Sequence, residues 1–205
     1  MVWLDNYVFV PLILLFFTGT ALSLFRPTSR SILLLAAQYM SVSWLAYSNL
    51  PAAGVYAKLI TGFLVCLILS LGIRQIGDDP LPGDDQMISA KLPFRVVALL
   101  LVTVASVSLA SSNLFAQFDI SREANVGATF LIASSLLNLG LGTDKLRSGI
   151  GLLTFISGGE LIYSFIEPSL AVIALLAMVQ LGIVLVFSYL ISIQARYEIS
   201  GNQNP

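Results

Sequence analysis

Long apolar stretches separated by short polar segments divide the chain into seven candidate membrane-spanning helices. A spanning helix needs about 20 mostly apolar residues. The stretches that reach or approach this length are residues 7–25, 31–49, 51–73, 94–111, 125–142, 148–166 and 168–194. Pro51 and Pro168 stand where the third and seventh stretches begin, and proline suits the first turn of a helix. The pattern predicts an all-α integral membrane protein with seven transmembrane helices.

The composition agrees with a chain surrounded by a lipid bilayer. Of 205 residues, 57% are hydrophobic and 10% are charged, whereas soluble domains average about 25% charged residues. The net charge of −1 gives no reason to expect a nucleic-acid partner. The sequence contains no histidine, which excludes histidine-ligated haem, histidine-containing zinc sites and Ser–His or Cys–His catalysis by this chain alone. We expect no cofactor, no metal site and no catalytic residue.

The basic residues predict how the helices are oriented. If the N-terminus lies outside, eight of the 10 Lys and Arg residues fall in inner segments, namely Arg26, Arg30, Arg74, Lys91, Arg95, Lys145, Arg147 and Arg196. Arg122 alone is outside, and Lys58 lies within a span. Cytoplasmic loops carry such an excess of positive charge. The sequence therefore predicts an outer N-terminus, a cytoplasmic C-terminus and an inner loop at 80–85.

Three regions follow from this division. Residues 1–111 form an N-terminal four-helix membrane region, residues 125–194 form a C-terminal three-helix unit, and residues 195–205 form a disordered polar tail. A weak internal repeat relates the first three helices to the last three, with the fourth as a connector. Aligning Pro51 with Pro168 places Ser43 opposite Glu160.

Helix six carries a carboxylate, Glu160, inside its apolar stretch. Steps of three or four residues place a polar or small stripe on the same helical face, formed by Arg147, Gly151, Thr154, Ser157, Glu160, Ser164 and Glu167. The stripe has two interpretations, a helix–helix contact or an ion path. Intramembrane acids face a bundle interior or a water-filled cavity, which favours a function for Glu160. Ser157 and Ser164 would then hold waters that lead toward Glu167.

Lys58 is the second ionisable residue within a span, and it lies between Gly54 and Gly62 on one face of helix three. The glycines indicate a close-packed neighbour, while snorkelling of the lysine to the interface is the alternative. Lys58 lies about 6 Å and Glu160 about 4–5 Å outward of the midplane, at 1.5 Å per residue. We therefore hypothesise that the two side chains pair.

Uncharged polar residues accompany this pair near mid-membrane. They are Gln38, Tyr39, Asn138 and Gln180. Each such residue more often makes an interhelical hydrogen bond than binds a substrate. Together with Glu160 and Lys58, the same residues would bind the water molecules of a short proton path.

The last three helices resemble the small K-type subunit of complex I, a family that includes the C subunit of Mrp-type cation/proton antiporters and part of a hydrogenase-4 subunit. The resemblance rests on a basic loop with Lys145 and Arg147, followed by Gly158, Gly159, Glu160 and Leu161. It implies that Glu160 belongs to a proton-translocation path. Complex I members carry a second glutamate in the next helix, where this chain has Gln180, so the resemblance leans toward the antiporter-type and hydrogenase-type relatives.

The sequence thus predicts a membrane subunit of a multisubunit ion-translocating complex. Glu160 and Lys58 would serve proton or sodium movement, with Ser157, Ser164, Glu167 and Gln180 along the path. Its partners would be other membrane subunits, the lipid bilayer, and H⁺ or Na⁺, in the bacterial inner (plasma) membrane. Whether that complex is an oxidoreductase or an antiporter stays open. A stand-alone small transporter and a structural subunit without transport residues are the alternatives.

Overall fold

The computed structural model describes residues 2–25, 29–47, 50–74, 85–111, 121–141 and 145–201. Within those ranges the chain forms seven helices and no strand, which confirms the all-helical prediction. The helices are α1 (Val2–Leu24), α2 (Ser29–Ala46), α3 (Ala52–Arg74), α4 (Asp85–Ser111), α5 (Arg122–Leu141), α6 (Lys145–Ile166) and α7 (Leu170–Gly201).

Five of the helices are long and apolar enough to cross a membrane, namely α3, α5, α6, and the segments Pro93–Ser111 of α4 and Leu170–Ile193 of α7. Where the side chains of α1 and α2 are described, the apolar segments are Phe9–Leu24 and Ser31–Ala46. Large apolar side chains cover the outside of the bundle, including Ile13, Leu33, Phe63, Leu101 and Met178. Lipid is the solvent that such a surface requires, so the chain is a membrane protein.

Helices α4 and α7 extend furthest beyond the predicted boundaries. Helix α4 begins at Asp85, before the apolar stretch that starts near Pro93, because hydropathy locates the span and not the helix end. Helix α7 continues to Gly201, where the sequence predicted a disordered tail over 195–205. Residues 195–204 contain no proline that would interrupt the helix. The last residue of α7 is Gly201, and glycine is common at helix ends. Residues 202–205 lie outside the described part of the chain.

The first three helices pack along the last three in matching order. Helix α1 lies against α5, α2 against α6, and α3 against α7. Contacts between α3 and α7 advance along both helices in the same direction, from Gly54 with Ile173 to Gly72 with Ser188. Helix α4 lies to one side, against α1 and α5. The arrangement agrees with the weak repeat in the sequence, in which α4 is the connector.

Two apolar clusters fill the bundle, one above the other. We name the first the Leu15 cluster, which includes Leu15, Val42, Val55, Leu131, Leu161 and Ile173. We name the second the Leu22 cluster, which includes Leu22, Leu35, Tyr39, Val65, Leu153 and Val184. In α1, α2, α3, α6 and α7, buried polar residues lie between the members of the two clusters. This polar layer consists of Thr18, Gln38, Ser41, Lys58, Thr61, Thr154, Ser157, Glu160 and Gln180.

Gly158, next to the polar layer, marks a close contact between α6 and α5. A Cβ atom at Gly158 would lie 2.9 Å from Ile132, 3.0 Å from Leu131 and 3.1 Å from the Ala128 carbonyl oxygen. A Cβ atom at the adjacent Gly159 would meet nothing within 4 Å. The two adjacent glycines therefore differ in what they contribute to packing.

We expect Gly158→Ala to destabilise the purified protein in detergent by about 1–3 kcal/mol, because overpacking forces neighbouring atoms to shift. Gly159→Ala is the matched control, since alanine is favoured over glycine by about 1 kcal/mol in a helix and nothing opposes it there. Thermal unfolding would measure both. Equal melting temperatures for the two variants would contradict the described contact.

Candidate functional site: a buried ion pair in a polar layer

Lys58 and Glu160 meet in the polar layer. The Lys58 Nζ lies 3.4 Å from the Glu160 Oε2, and the two residues are only 2% and 5% exposed. The structure therefore confirms the hypothesised pairing, and Lys58 does not snorkel to the interface. Each charge lowers the cost of burying the other, because an opposite charge at this distance favours the ionised forms of both.

The pair connects two helices that are not neighbours. Among the described residues, α3 packs against α2 and α7 and shares no close backbone contact with α6. Gly54 and Gly62 allow α3 to approach those two helices, since a Cβ at Gly54 would lie 2.9 Å from Ile173 and one at Gly62 would lie 2.8 Å from the Tyr39 ring. The prediction of close packing around Lys58 is confirmed. The long lysine side chain covers the remaining distance to α6.

Gln180 of α7 completes the immediate surroundings of Glu160. Its Nε2 donates a hydrogen bond of 2.8 Å to Glu160 Oε2, and the residue is 1% exposed. The expectation of an interhelical hydrogen bond at Gln180 is confirmed. One ammonium and one amide thus converge on a single carboxylate oxygen, where the K-type pattern of complex I would place a second carboxylate.

Tyr39 of α2, one of the mid-membrane polar residues named in the sequence, lies beside this centre. Its hydroxyl group lies near Ser157 and within electrostatic range of Glu160, and no hydrogen bond of standard geometry joins it to a described residue. The ring packs on Gly62. A glycine one turn beyond Lys58 was the available signal, but the sequence alone does not identify which helix provides the ring.

Ser157 and Ser164, the two serines predicted to hold waters, donate their hydroxyl hydrogens to backbone carbonyls of α6. Ser157 Oγ donates to the Leu153 carbonyl over 2.9 Å, and Ser164 Oγ donates to the Leu161 carbonyl over 2.7 Å. Their oxygens remain available only as acceptors. Glu167 is exposed in the short connection between α6 and α7, so it does not belong to the buried centre.

Several buried polar atoms of the polar layer have no hydrogen-bond partner within the described residues. They are the Nε2 and Oε1 of Gln38, the Nζ of Lys58 and the Oγ1 of Thr154, together with the Tyr39 hydroxyl. Buried polar groups are nearly always hydrogen-bonded, to protein or to ordered water. The layer therefore has spare donors and acceptors that can bind ordered water or another polar ligand.

No protein-family model, no curated protein and no solved structure matches this chain.

Proposed function

We propose that this protein is a membrane subunit of a multisubunit ion-translocating complex, in which Glu160 loads and releases the transported ion. The observation that carries the proposal is the Lys58–Glu160–Gln180 centre, buried between two apolar clusters. Ionisable residues at such depth are costly, and they mark ion pathways and proton relays. The residues Gly158 to Leu161, which resemble the K-type family, support assignment to the complex I, Mrp antiporter and hydrogenase-4 class.

The geometry of the centre favours a proton over a sodium ion. Glu160 Oε2 already faces the Lys58 ammonium at 3.4 Å and accepts from the Gln180 amide. A sodium ion would have to displace the ammonium, whose charge repels it, and it would need several oxygen ligands. A proton neutralises the carboxylate without needing a cavity, and it leaves Lys58 free to turn toward another acceptor. Sodium transport remains an outcome of the flux measurement.

The proposed location is the bacterial inner (plasma) membrane, and the charged helix ends support an outer N-terminus. Arg95 donates to the carbonyl at the end of α5, Leu141, and Arg147 donates to the carbonyl of Phe25 just after α1. Arg74 ends α3 on the same side. Basic residues thus gather at one end of the bundle, which by the positive-inside rule is the cytoplasmic end.

Cysteine labelling tests this orientation. In a Cys66→Ala background, we expect an impermeant maleimide to label Ser121→Cys on intact cells, because Ser121 is exposed before α5. Asp84→Cys, in the inner loop at 80–85 outside the described residues, should react only after the membrane is opened. Labelling of Asp84→Cys alone from outside would reverse the proposed topology.

The test of the function itself is ion flux across sealed membrane vesicles from the native host. The chromosomal copy would encode either the wild-type chain or a Glu160 variant, so that all natural partners are present. Proton movement is followed with a pH-sensitive dye and sodium movement with a radioactive tracer. Normal flux with a Glu160 variant present in the membrane at wild-type level would favour a structural subunit.

A further inference from the structure

We propose that a water-filled route leads from Glu160 along α6 to the Arg147 end of the bundle, with Thr154, Gln38 and Asn138 as its lining groups. The inference rests on the proposed function and adds to it the path by which the proton reaches the cytoplasmic side. It depends on buried polar atoms without hydrogen-bond partners among the described residues and on buried polar side chains that recur between the polar layer and a helix end.

The route begins with polar groups that face one another across α2 and α6. Thr154 lies one turn before Ser157 on the buried face of α6, and its hydroxyl oxygen has no hydrogen-bond partner among the described residues. Tyr39 brings its hydroxyl to Ser157 from α2. Ser157 lies about one turn before Glu160 and Thr154 about two turns before it, so both lie toward the N-terminal end of α6.

Gln38 points into the same interior. It is 1% exposed, and neither amide atom has a hydrogen-bond partner in the described part of the chain. It shares a face of α2 with the fully buried Leu35 and Val42, roughly opposite the exposed Met40. A buried amide without partners normally binds ordered water, so Gln38 marks a hydration site in the interior of the bundle.

The row continues past the polar layer along α1, α5 and α6. A Cβ atom at Gly151, one turn before Thr154, would lie 3.4 Å from Asn138. Asn138 Nδ2 donates to Ser23 Oγ over 2.9 Å, and the carbonyl of Ser23 accepts from Arg147 over 3.1 Å. These three residues are buried, and Arg147 lies in the first turn of α6. Polar groups therefore follow one another at each turn from Glu160 to the end of the helix.

The proton step is simple and balanced. Protonated Glu160 gives its proton to a water molecule at Tyr39 and Thr154, and the carboxylate that remains pairs with the Lys58 ammonium. The excess proton passes between waters at Gln38 and Asn138 and leaves beside Arg147. No side chain along the route other than Glu160 changes its protonation state.

Accessibility of single cysteines tests whether water occupies the route. In the Cys66→Ala background, Thr154→Cys should react with a small charged methanethiosulfonate in inside-out vesicles, where the Arg147 end faces the medium. Leu153→Cys is the matched control, because Leu153 is adjacent in sequence and fully buried in the Leu22 cluster. Reaction of Thr154→Cys from the opposite side only, or of neither cysteine, would overturn the proposal.

Flux variants test whether the route carries the ion. Thr154→Val and Gln38→Leu should each lower proton flux about tenfold, the rate equivalent of one lost hydrogen bond. Their thermal stability should change little, because neither polar group hydrogen-bonds to a described residue and the water that each binds is lost together with it. Thr129→Val is the control, since that hydroxyl already bonds to the carbonyl of Asn125 in its own helix and lies off the route.

The two proposals fail in different ways. If Glu160→Gln abolishes flux while Thr154→Val and Gln38→Leu transport normally, the ion reaches Glu160 elsewhere and the route is wrong. If Glu160→Gln transports normally, the proposed function is wrong, whatever the cysteines show. Lowered flux together with lowered stability in both route variants would assign Thr154 and Gln38 a structural role and also overturn the route.

Discussion

Replacing Glu160 with glutamine should abolish ion flux in native vesicles while the protein remains in the membrane. Glutamine has nearly the same size and can still accept the hydrogen bond from Gln180, but it cannot bind and release a proton. The loss should be at least about 100-fold, the lower end of what a positioned proton-transfer group contributes. Glu160→Asp keeps the carboxylate but shortens the reach to Lys58, so part of the flux should remain.

Glu167→Gln is the control for this experiment. Glu167 is the other carboxylate on the α6 stripe, and it is exposed between α6 and α7, where water can replace it. Its flux should stay within about twofold of the wild type, well under the 1.4 kcal/mol that a tenfold change represents. Flux values are normalised to the amount of the chain in the membrane. Equal losses for Glu160→Gln and Glu167→Gln would mean that burial of the carboxylate does not matter.

The second large effect concerns stability and should separate folding from transport. Lys58→Met or Glu160→Gln alone leaves one buried charge without its partner, which costs about 3–5 kcal/mol when a buried pair is broken. The double variant removes both charges and should be more stable than either single variant. Its ion flux should nevertheless remain lost, because Glu160 is absent.

Denaturant unfolding of the four proteins in detergent measures this double-mutant cycle. A coupling free energy of about 2 kcal/mol or more is expected, since contacting residues commonly couple by about 0.5–3 kcal/mol. Additive effects of the two single changes would show that the 3.4 Å contact contributes nothing. Recovery of flux in the double variant would remove Glu160 from the transport mechanism.

The sequence predicted the seven helices and the depth at which Lys58 and Glu160 meet, because both depend on helical geometry and hydropathy. Rise per residue places two side chains in the same layer without any knowledge of their neighbours. The predicted helix ends were less accurate than the predicted spans. Asp85 begins α4 outside its apolar stretch, and only the apolar stretch leaves a signal in hydropathy.

The sequence did not predict which helices lie next to one another at the site. A helical period identifies the face on which Gln38 or Tyr39 lies, but not the helix that covers this face. The hydrogen bond from Gln180 to Glu160 and the approach of Tyr39 to Ser157 depend on how α2, α6 and α7 assemble. The hydroxyl groups of Ser157 and Ser164 bond to their own backbone, a local choice that the spacing of serines does not reveal.

The distance between the two charges along the chain sets an order of events during biosynthesis. Lys58 is made about a hundred residues before Glu160, which at about 5–20 residues per second is a delay of about 5–20 s. Helix α3 has the higher mean hydropathy of the two, so it can enter the bilayer with its lysine unpaired. Helix α6 carries both Arg147 and Glu160, and it enters a membrane in which the Lys58 ammonium of α3 is already present. Loss of Lys58 should therefore impair integration of the later helix more than that of the helix that carries it.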